Sequence, residues 1–178
     1  MEKKKTDVGL VYGVICGVAV VAFSILLYVA GVEWYTSALA YCGFLIPIVI
    51  GFMGAYKQRS LQGGYLTFKE ALKTVFIIFI ISIIFDTVFS YLLLNVIDVP
   101  FREAIMQEAA VKMEKFLAKM GSSQEAIDKA MADFENPNNF SPGKIILGMF
   151  FRMIGWFIVA LIIAAIVKKK RPEFENQI

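Results

Sequence analysis

The chain has 178 residues, of which 58% are hydrophobic and 19% are charged, with a net charge of +3. A soluble domain of this size cannot bury so much apolar side chain in one core, so the composition excludes that class of protein. The basic residues lie at the ends of long apolar segments, where they act as topology anchors, and the charge gives no reason to expect a nucleic-acid partner. We expect an integral membrane protein whose residues 1–178 form one membrane domain in the lipid bilayer.

Four apolar segments are long enough to cross a bilayer, which takes about 20 apolar residues per helix. Together with helix-start signals, they predict spans at about 8–30, 38–56, 68–97 and 143–167. Thr67 with Glu70 forms a capping box before span three, and Ser141 with Pro142 supplies a cap and a first-turn proline before span four. The predicted fold class is all-α, a four-helix transmembrane bundle.

Lysine and arginine predict the orientation, because short cytoplasmic loops carry an excess of these residues. They cluster before span one, between spans two and three, and after span four, at Lys3, Lys4, Lys5, Lys57, Arg59, Lys69, Lys73, Lys168, Lys169, Lys170 and Arg171. Segment 98–141, by contrast, has eight acids and five bases. We therefore expect a multi-pass protein of the cell inner membrane, with the N and C termini in the cytoplasm and segment 98–141 outside.

Glycines at helical spacing mark the faces where spans one and two can pack closely, since small residues let helix backbones approach each other in lipid. The expected helix-packing residues are Gly9, Gly13 and Gly17 in span one and Gly43 and Gly51 in span two. We expect these two spans to lie against each other. Cys16 and Cys42 lie inside the same spans, where we interpret them as reduced, buried packing residues.

Gly63 and Gly64 lie between spans two and three and predict a tight cytoplasmic turn, because glycine accepts positive φ. Two interpretations of this turn are open. It is either a loop that starts span three, or a cytoplasmic contact or anion site at the start of that helix, favoured by the helix dipole and the neighbouring cations.

A single acid, Asp86, interrupts the apolar run 76–94, and Arg152 is the one base well inside span four. Counted from the outer ends of their spans, the two residues differ in depth by about 6 Å, which an arginine side chain can bridge. Charges inside a membrane normally face inward and pair, so we expect an intramembrane ion pair between them. Ser82 and Ser90 lie on the same helical stripe as Asp86 and are expected to support it.

Two alternatives to a structural ion pair are open. In the first, Arg152 extends toward the interface while Asp86 is protonated. In the second, Asp86 relays protons or ions through the bundle, since acids inside membrane spans often serve such pathways.

Segment 100–135 predicts an extracytoplasmic amphipathic helical hairpin between spans three and four. Apolar residues recur at helical spacing over 101–120, Gly121 ends that helix, and Ser122 with Glu125 forms a capping box for a second helix. The apolar stripe of helix 101–120 needs a partner: the ends of the spans, the bilayer interface or another protein. A homo-oligomer or a partner membrane protein is therefore a candidate to bind this helix.

The sequence lacks histidine, the commonest general base and metal ligand, and its two cysteines offer no CxxC site. Met106, Met113 and Met120 are two helical turns apart, about 10 Å, which is too far for shared metal ligation. No nucleotide-binding or zinc-protease motif occurs. We therefore expect no catalytic residue, no metal and no cofactor, and a protein that is not an enzyme.

The segment "GGYLTFKEA" at 63–71 and the segment "NVIDVPF" at 95–101 resemble the membrane family of domain of unknown function 4199, found mainly in Bacteroidota. The positions that carry the resemblance are Gly63, Gly64, Phe68, Ala71 and Pro100, and the similarity extends over about residues 7–167. The resemblance implies a small four-span inner-membrane protein without an assigned activity, cofactor or catalytic residue.

Two functions are expected from these features. The first is a non-catalytic structural or accessory subunit of a membrane assembly, because packing faces occur without a catalytic constellation and an amphipathic outer helix lacks a partner. The alternative is a small oligomeric transporter or channel that uses Asp86 as a proton- or ion-coupling residue.

Overall fold

A computed structural model of the chain describes residues 7–134 and 136–170, which fold into seven α-helices and shorter helical turns. The α-helices are α1 Val8–Ala30, α2 Val32–Tyr35, α3 Leu45–Leu61, α4 Phe68–Leu92, α5 Val99–Lys119, α6 Gln124–Phe134 and α7 Pro142–Val167. Two 3₁₀ helices, Ala38–Phe44 and Pro137–Phe140, precede α3 and α7, and a π-helical turn, Leu93–Ile97, extends α4. Lys3, Lys4, Lys5, Glu135 and Arg171, which enter the charge argument, lie outside the described residues.

Four helical stretches are long and apolar enough to cross a membrane: Val8–Ala30, Ala38–Leu61, Phe68–Ile97 and Pro142–Val167. We call them spans one to four. The sequence-based prediction of an all-α fold with four membrane-spanning helices is therefore confirmed. Large apolar side chains such as Leu26, Val29 and Phe151 are exposed on these helices, as expected for surfaces that face lipid.

Span two begins at Ala38, as predicted, but it differs from its prediction in length and in the helix type of its first residues. It continues to Leu61 rather than stopping near residue 56, because polar residues continue the helix after the apolar run ends. Its first seven residues are a 3₁₀ helix, in which the Leu45 N–H donates to the Cys42 carbonyl. Pro47 has no N–H to donate to the Gly43 carbonyl, which accounts for the break between the 3₁₀ and α segments. Cys42 is consequently exposed, so its interpretation as a buried packing residue is wrong.

Two of the helix-start predictions have clear outcomes. The Thr67 and Glu70 capping box is confirmed at the start of α4, with the side-chain and backbone bonds of both residues in place. The cap of α6 is Ser123, whose Oγ accepts from the Ala126 N–H at 3.3 Å, one residue after the predicted Ser122. Gly121 has φ of 76° after α5, where only glycine is free of strain.

Helix α4 lies at the centre of the bundle and contacts α1, α3 and α7. Its buried side chains form the core together with residues of the other spans and Leu66 of the loop before α4. The largest fully buried side chains are Phe79, Leu66, Ile78, Ile163, Val75, Val167 and Cys16. On α7, Ala160 and Ala164 are fully buried, and their small size allows α7 to pack closely in the bundle.

Spans one and two contact each other, as predicted, but the glycine face of span one packs against span three. A Cβ added to the span-one glycines would meet α4 side chains: Gly9 meets Ile77, Gly13 meets Ile81 and Gly17 meets Phe85. In span two, Gly51 also faces α4, at Phe79, whereas Gly43 faces Phe23 of α1. Glycine leaves room for a large side chain, and for four of these five glycines that side chain belongs to α4.

One end of the bundle holds both the loop between spans two and three and the chain after α7. Leu66 and Lys169 exchange two backbone hydrogen bonds, of 2.9 and 2.8 Å, in an isolated antiparallel bridge. The ammonium groups of Lys168 and Lys169 lie 5.9 and 5.8 Å from the ring centroids of Phe68 and Tyr65. We call this the bridged end.

Helices α2, α5 and α6 lie at the opposite end. There, several contacts hold α5 from its cap to Lys112. Asp98 caps α5 by accepting from the Phe101 N–H at 2.9 Å, and it also accepts from the Tyr28 hydroxyl at 2.8 Å. The Phe101 ring packs edge-on against Tyr28 and Tyr35, at centroid distances of 4.7 and 5.4 Å. Lys112 donates to the Thr36 hydroxyl at 2.7 Å.

Candidate functional site

The structure brings Asp86 and Arg152 together. Helix α4 supplies the acid and α7 the base, and Arg152 Nη2 donates to Asp86 Oδ2 at 2.6 Å. The two side chains differ in exposure, 15% for Asp86 and 46% for Arg152. The carboxylate therefore lies between helices, while the guanidinium lies at the edge of the bundle, where its long stem can reach toward the interface.

Ser82 and Ser90 lie one helical turn before and after Asp86, but their hydrogen bonds run to other helices. Ser82 is buried and hydrogen-bonds the Cys16 thiol of α1, and Ser90 hydrogen-bonds the Tyr35 hydroxyl at the end of α2. One stripe of α4 thus has polar contacts to α1, α2 and α7, and the support of Asp86 by these serines stays a prediction. The partners are decided by helix packing, which serine spacing does not reveal.

A cavity of about 200 Å³ lies beside the ion pair, between the four spans. Its polar and aromatic lining includes Ser24, Tyr35, Ser82, Asp86, Arg152 and Trp156. The Trp156 ring packs against Phe79 at a centroid distance of 4.7 Å and forms one wall. A cavity of this size with several polar groups can hold ordered water or one small molecule.

Tyr35 is the ionisable neighbour of the pair outside the spans. Burial raises the pKa of its phenol, the negative charge of Asp86 raises the pKa further, and the hydrogen bond with Ser90 lowers it. The net pKa is higher than usual, so Tyr35 stays protonated and can act as a hydrogen-bond donor at the cavity wall.

Tyr35 and Trp156 were not identified as site residues from sequence. Aromatic residues near the ends of spans are common at membrane interfaces, so Tyr35 has an ordinary explanation without a cavity. The adjacent Trp34 is exposed, and nothing in the sequence distinguishes which of the two rings turns inward.

The turn at Gly63 and Gly64 has φ values of 73° and 89°, as a tight glycine turn requires. Arg59 Nε donates to the Gly64 carbonyl at 2.9 Å and so ties the turn to α3. At the start of α4, the Glu70 carboxylate accepts from the Thr67 N–H at 3.0 Å and from its hydroxyl at 2.7 Å. The protein's own carboxylate thus occupies the position that an external anion would take, which favours the interpretation as a loop that starts span three.

Within residues 7–134 and 136–170, no group of three or more histidine, cysteine, aspartate or glutamate side chains is close enough to hold a metal ion. The polar groups at the cavity therefore offer hydrogen bonds and charge rather than a ligand set.

Comparison with known proteins gives a family and no described relative. A family model described as "Protein of unknown function (DUF4199)" matches residues 11–169. No curated protein and no solved structure matches the chain. The family match starts inside α1, includes the ion pair and the cavity, and ends at Lys169 of the antiparallel bridge. Since it covers most of the sequence, the chain belongs to the DUF4199 family of proteins of unknown function.

Proposed function

We propose that this protein is a non-catalytic structural or accessory subunit of an assembly in the bacterial inner membrane. Its termini face the cytoplasm, and helices α5 and α6 lie outside. The basic residues at the bridged end support this orientation, because positive charge favours the cytoplasmic side. The family as described supplies no activity that competes with the proposal.

The uncovered end of α5, after Lys112, is the observation that carries the proposal. The helix up to Lys112 is held by Asp98, Phe101 and Lys112, as described above. Beyond Lys112, Phe116 and the C-cap residue Met120 are 60% and 67% exposed. An amphipathic helix that is anchored over its first part and uncovered at its end presents an apolar surface to a second molecule.

Site-specific photo-crosslinking in native membranes tests this proposal. A photo-reactive residue at position 116 is expected to give an adduct of discrete mass, either twice the protomer mass or the sum with one partner. Exposed Lys115, on the neighbouring face of the same helix, is the matched control position and should give little adduct. Equal labelling at both positions, or no adduct at 116, would contradict a docking role for α5.

The alternative function is a small oligomeric transporter or channel that uses Asp86 for proton or ion coupling. The specific observation in its favour is the cavity beside Asp86, together with the break in span two, since interrupted helices often line binding sites in transporters. Proton flux into proteoliposomes that disappears in Asp86→Asn would favour this alternative. Equal flux in protein-free and protein-containing liposomes would leave the subunit role as the better explanation.

A further inference from the structure

A second cavity, of about 410 Å³, opens between α4 and α7 on the other side of Arg152. We call it the α4–α7 groove. Its lining includes Thr87, Asn95, Asn139, Phe140, Gly148 and Arg152. From Thr87 to Asn95 the groove extends about 12 Å along the span, the length of a lipid's glycerol region and the start of its acyl chains.

Thr87 is an unexplained polar group in this groove. Its hydroxyl oxygen is buried and has no hydrogen-bond partner among the described residues. Buried hydroxyls are normally paired, because an unpaired one loses its bonds to water without compensation. The Thr87 side chain lines the groove, and a change to its second helical rotamer would turn the hydroxyl toward the groove, where an acceptor oxygen of a ligand would pair it.

Arg152 lines the groove, and Arg102 lies beside two of its lining residues. Arg152 gives one Nη2 hydrogen bond to Asp86, and a guanidinium carries five donor hydrogens, so donors remain for a ligand. Arg102, from α5, donates to Asn95 Oδ1 at 3.0 Å and lies over the Phe140 ring at 5.1 Å. Asp86 balances the charge of Arg152, so Arg102 is the cation that an anionic group at this end of the groove would meet.

The surroundings of the groove face lipid. Val88 on α4 and Leu147 and Phe151 on α7 are exposed, and an added Cβ on Gly148 would meet nothing within 4 Å. A molecule that enters from the bilayer therefore reaches apolar surface first and hydrogen-bond donors behind it.

We propose that the α4–α7 groove binds one phospholipid with an anionic head group. Its phosphate lies at the end formed by Arg102 and Asn95, and its ester oxygens accept hydrogen bonds from Thr87 and Arg152. One acyl chain runs along the open face at Gly148. Charge complementarity favours a lipid over a second copy of the chain, because the groove offers cationic and hydroxyl donors to an anion with apolar tails. This site is independent of the proposed subunit role.

Native mass spectrometry of the full-length protein, purified free of lipid, tests the proposal with phosphatidylglycerol and phosphatidylcholine as probes. One phosphatidylglycerol should bind per protomer, in preference to phosphatidylcholine. Gly148→Leu fills the groove and should weaken binding of both lipids by about tenfold or more. Gly155→Leu, on the same helix face and equally free of neighbours, is the matched control and should bind as the wild type does.

Thr87→Val and Arg102→Gln test the two polar regions of the groove one at a time. Thr87→Val should weaken binding by about fivefold while leaving the lipid-free protein as stable as the wild type or more so, since it removes an unpaired hydroxyl. Arg102→Gln should reduce the preference for phosphatidylglycerol by about fivefold.

Wild-type binding by Gly148→Leu, or equal binding of the two lipids by the wild type, would overturn the proposal. A change of oligomeric mass in Gly148→Leu without a change in lipid binding would overturn it as well, by identifying the groove as a contact between copies.

Discussion

At the scale of single residues, Asp86 and Arg152 are not equivalent members of their ion pair. Asp86 is 15% exposed and Arg152 is 46% exposed, so the base has a route to the interface and the acid does not. Removing Arg152 therefore leaves the more deeply placed charge without a partner.

We predict that Arg152→Gln lowers the free energy of unfolding by about 2 to 3 kcal/mol, and Asp86→Asn by less, because a lone charge inside a span is unfavourable. The double variant should regain much of the loss. Thermal unfolding of the four proteins in mild detergent measures these differences. If the double variant is destabilised as much as the worse single variant, the two residues act separately.

Gly17 is the tightest of the span-one glycine contacts, since an added Cβ would lie 2.6 Å from Cγ and 2.8 Å from Cβ of Phe85. Neither atom is the flexible end of a side chain, so α1 and α4 would have to separate. We predict that Gly17→Ala lowers the free energy of unfolding by about 1 to 3 kcal/mol. Gly148→Ala, where an added Cβ meets no atom within 4 Å, should be neutral in the same thermal assay. Equal effects of the two changes would contradict the contact.

Ionisation of the Tyr35 phenol makes the stability of the fold depend on pH in the alkaline range. Burial raises the pKa of its phenol above the ordinary value of about 10, so the folded state keeps the proton longer than the unfolded chain does. Its contribution is complete below that ordinary value and is lost as pH rises through the raised pKa. We predict that Tyr35→Phe flattens the fall in melting temperature above about pH 10. Tyr41→Phe, at an exposed ring, should keep the wild-type profile, and identical profiles for all three proteins would exclude this role.

At the scale of elements, α5 has a docked part, up to Lys112, and an exposed part after it. Phe101 packs against two tyrosine rings of the bundle, whereas Phe116 is 60% exposed. The two phenylalanines thus lie on one helix with different surroundings. Substituting each of them in turn distinguishes docking of α5 on its own bundle from contact with another molecule.

We predict that Phe101→Ala releases the docked part of α5 from the bundle. The free energy of unfolding should fall by about 2 kcal/mol, as expected for a partly buried aromatic side chain. Hydrogen–deuterium exchange over residues 99–112 should become faster. Phe116→Ala should leave exchange in this segment unchanged. Faster exchange in both variants would mean that α5 is held along its whole length.

Span two shows how an element departs from its hydrophobic pattern. The apolar run correctly locates the span, but Pro47 separates its 3₁₀ and α segments and places Ala40, Gly43 and Phe44 at the cavity wall. The π-helical turn after α4 has a comparable position, directly before the Asp98 cap of α5. Both irregular turns lie at the end of the bundle that carries the ion pair and the cavity.

At the scale of the whole molecule, the bridge between Leu66 and Lys169 keeps two short segments at one end of the bundle. We predict that this end is cytoplasmic. In a background with Cys16 and Cys42 replaced by serine, Lys119→Cys should react with a membrane-impermeant maleimide in intact spheroplasts. Ser60→Cys should react only after permeabilisation. The reverse pattern would invert the proposed orientation.

The sequence alone determined the number of spans, their approximate limits, several helix starts, and the two charged residues of the candidate site. These properties are one-dimensional: a run of about 20 apolar residues crosses a bilayer in any arrangement, and a charge within it is visible without a partner. The capping box at Thr67 is likewise local, because both of its residues belong to one helix turn.

Only the tertiary structure decided which faces meet. From the sequence, Gly17 could equally pack against span two or span three. Ser82 could equally contact Asp86 or Cys16. Tyr35 joined the site because α2 turns its ring inward beside Ser90. These outcomes depend on the rotation and depth of each helix, which many side chains of several elements set together, and no single span encodes them.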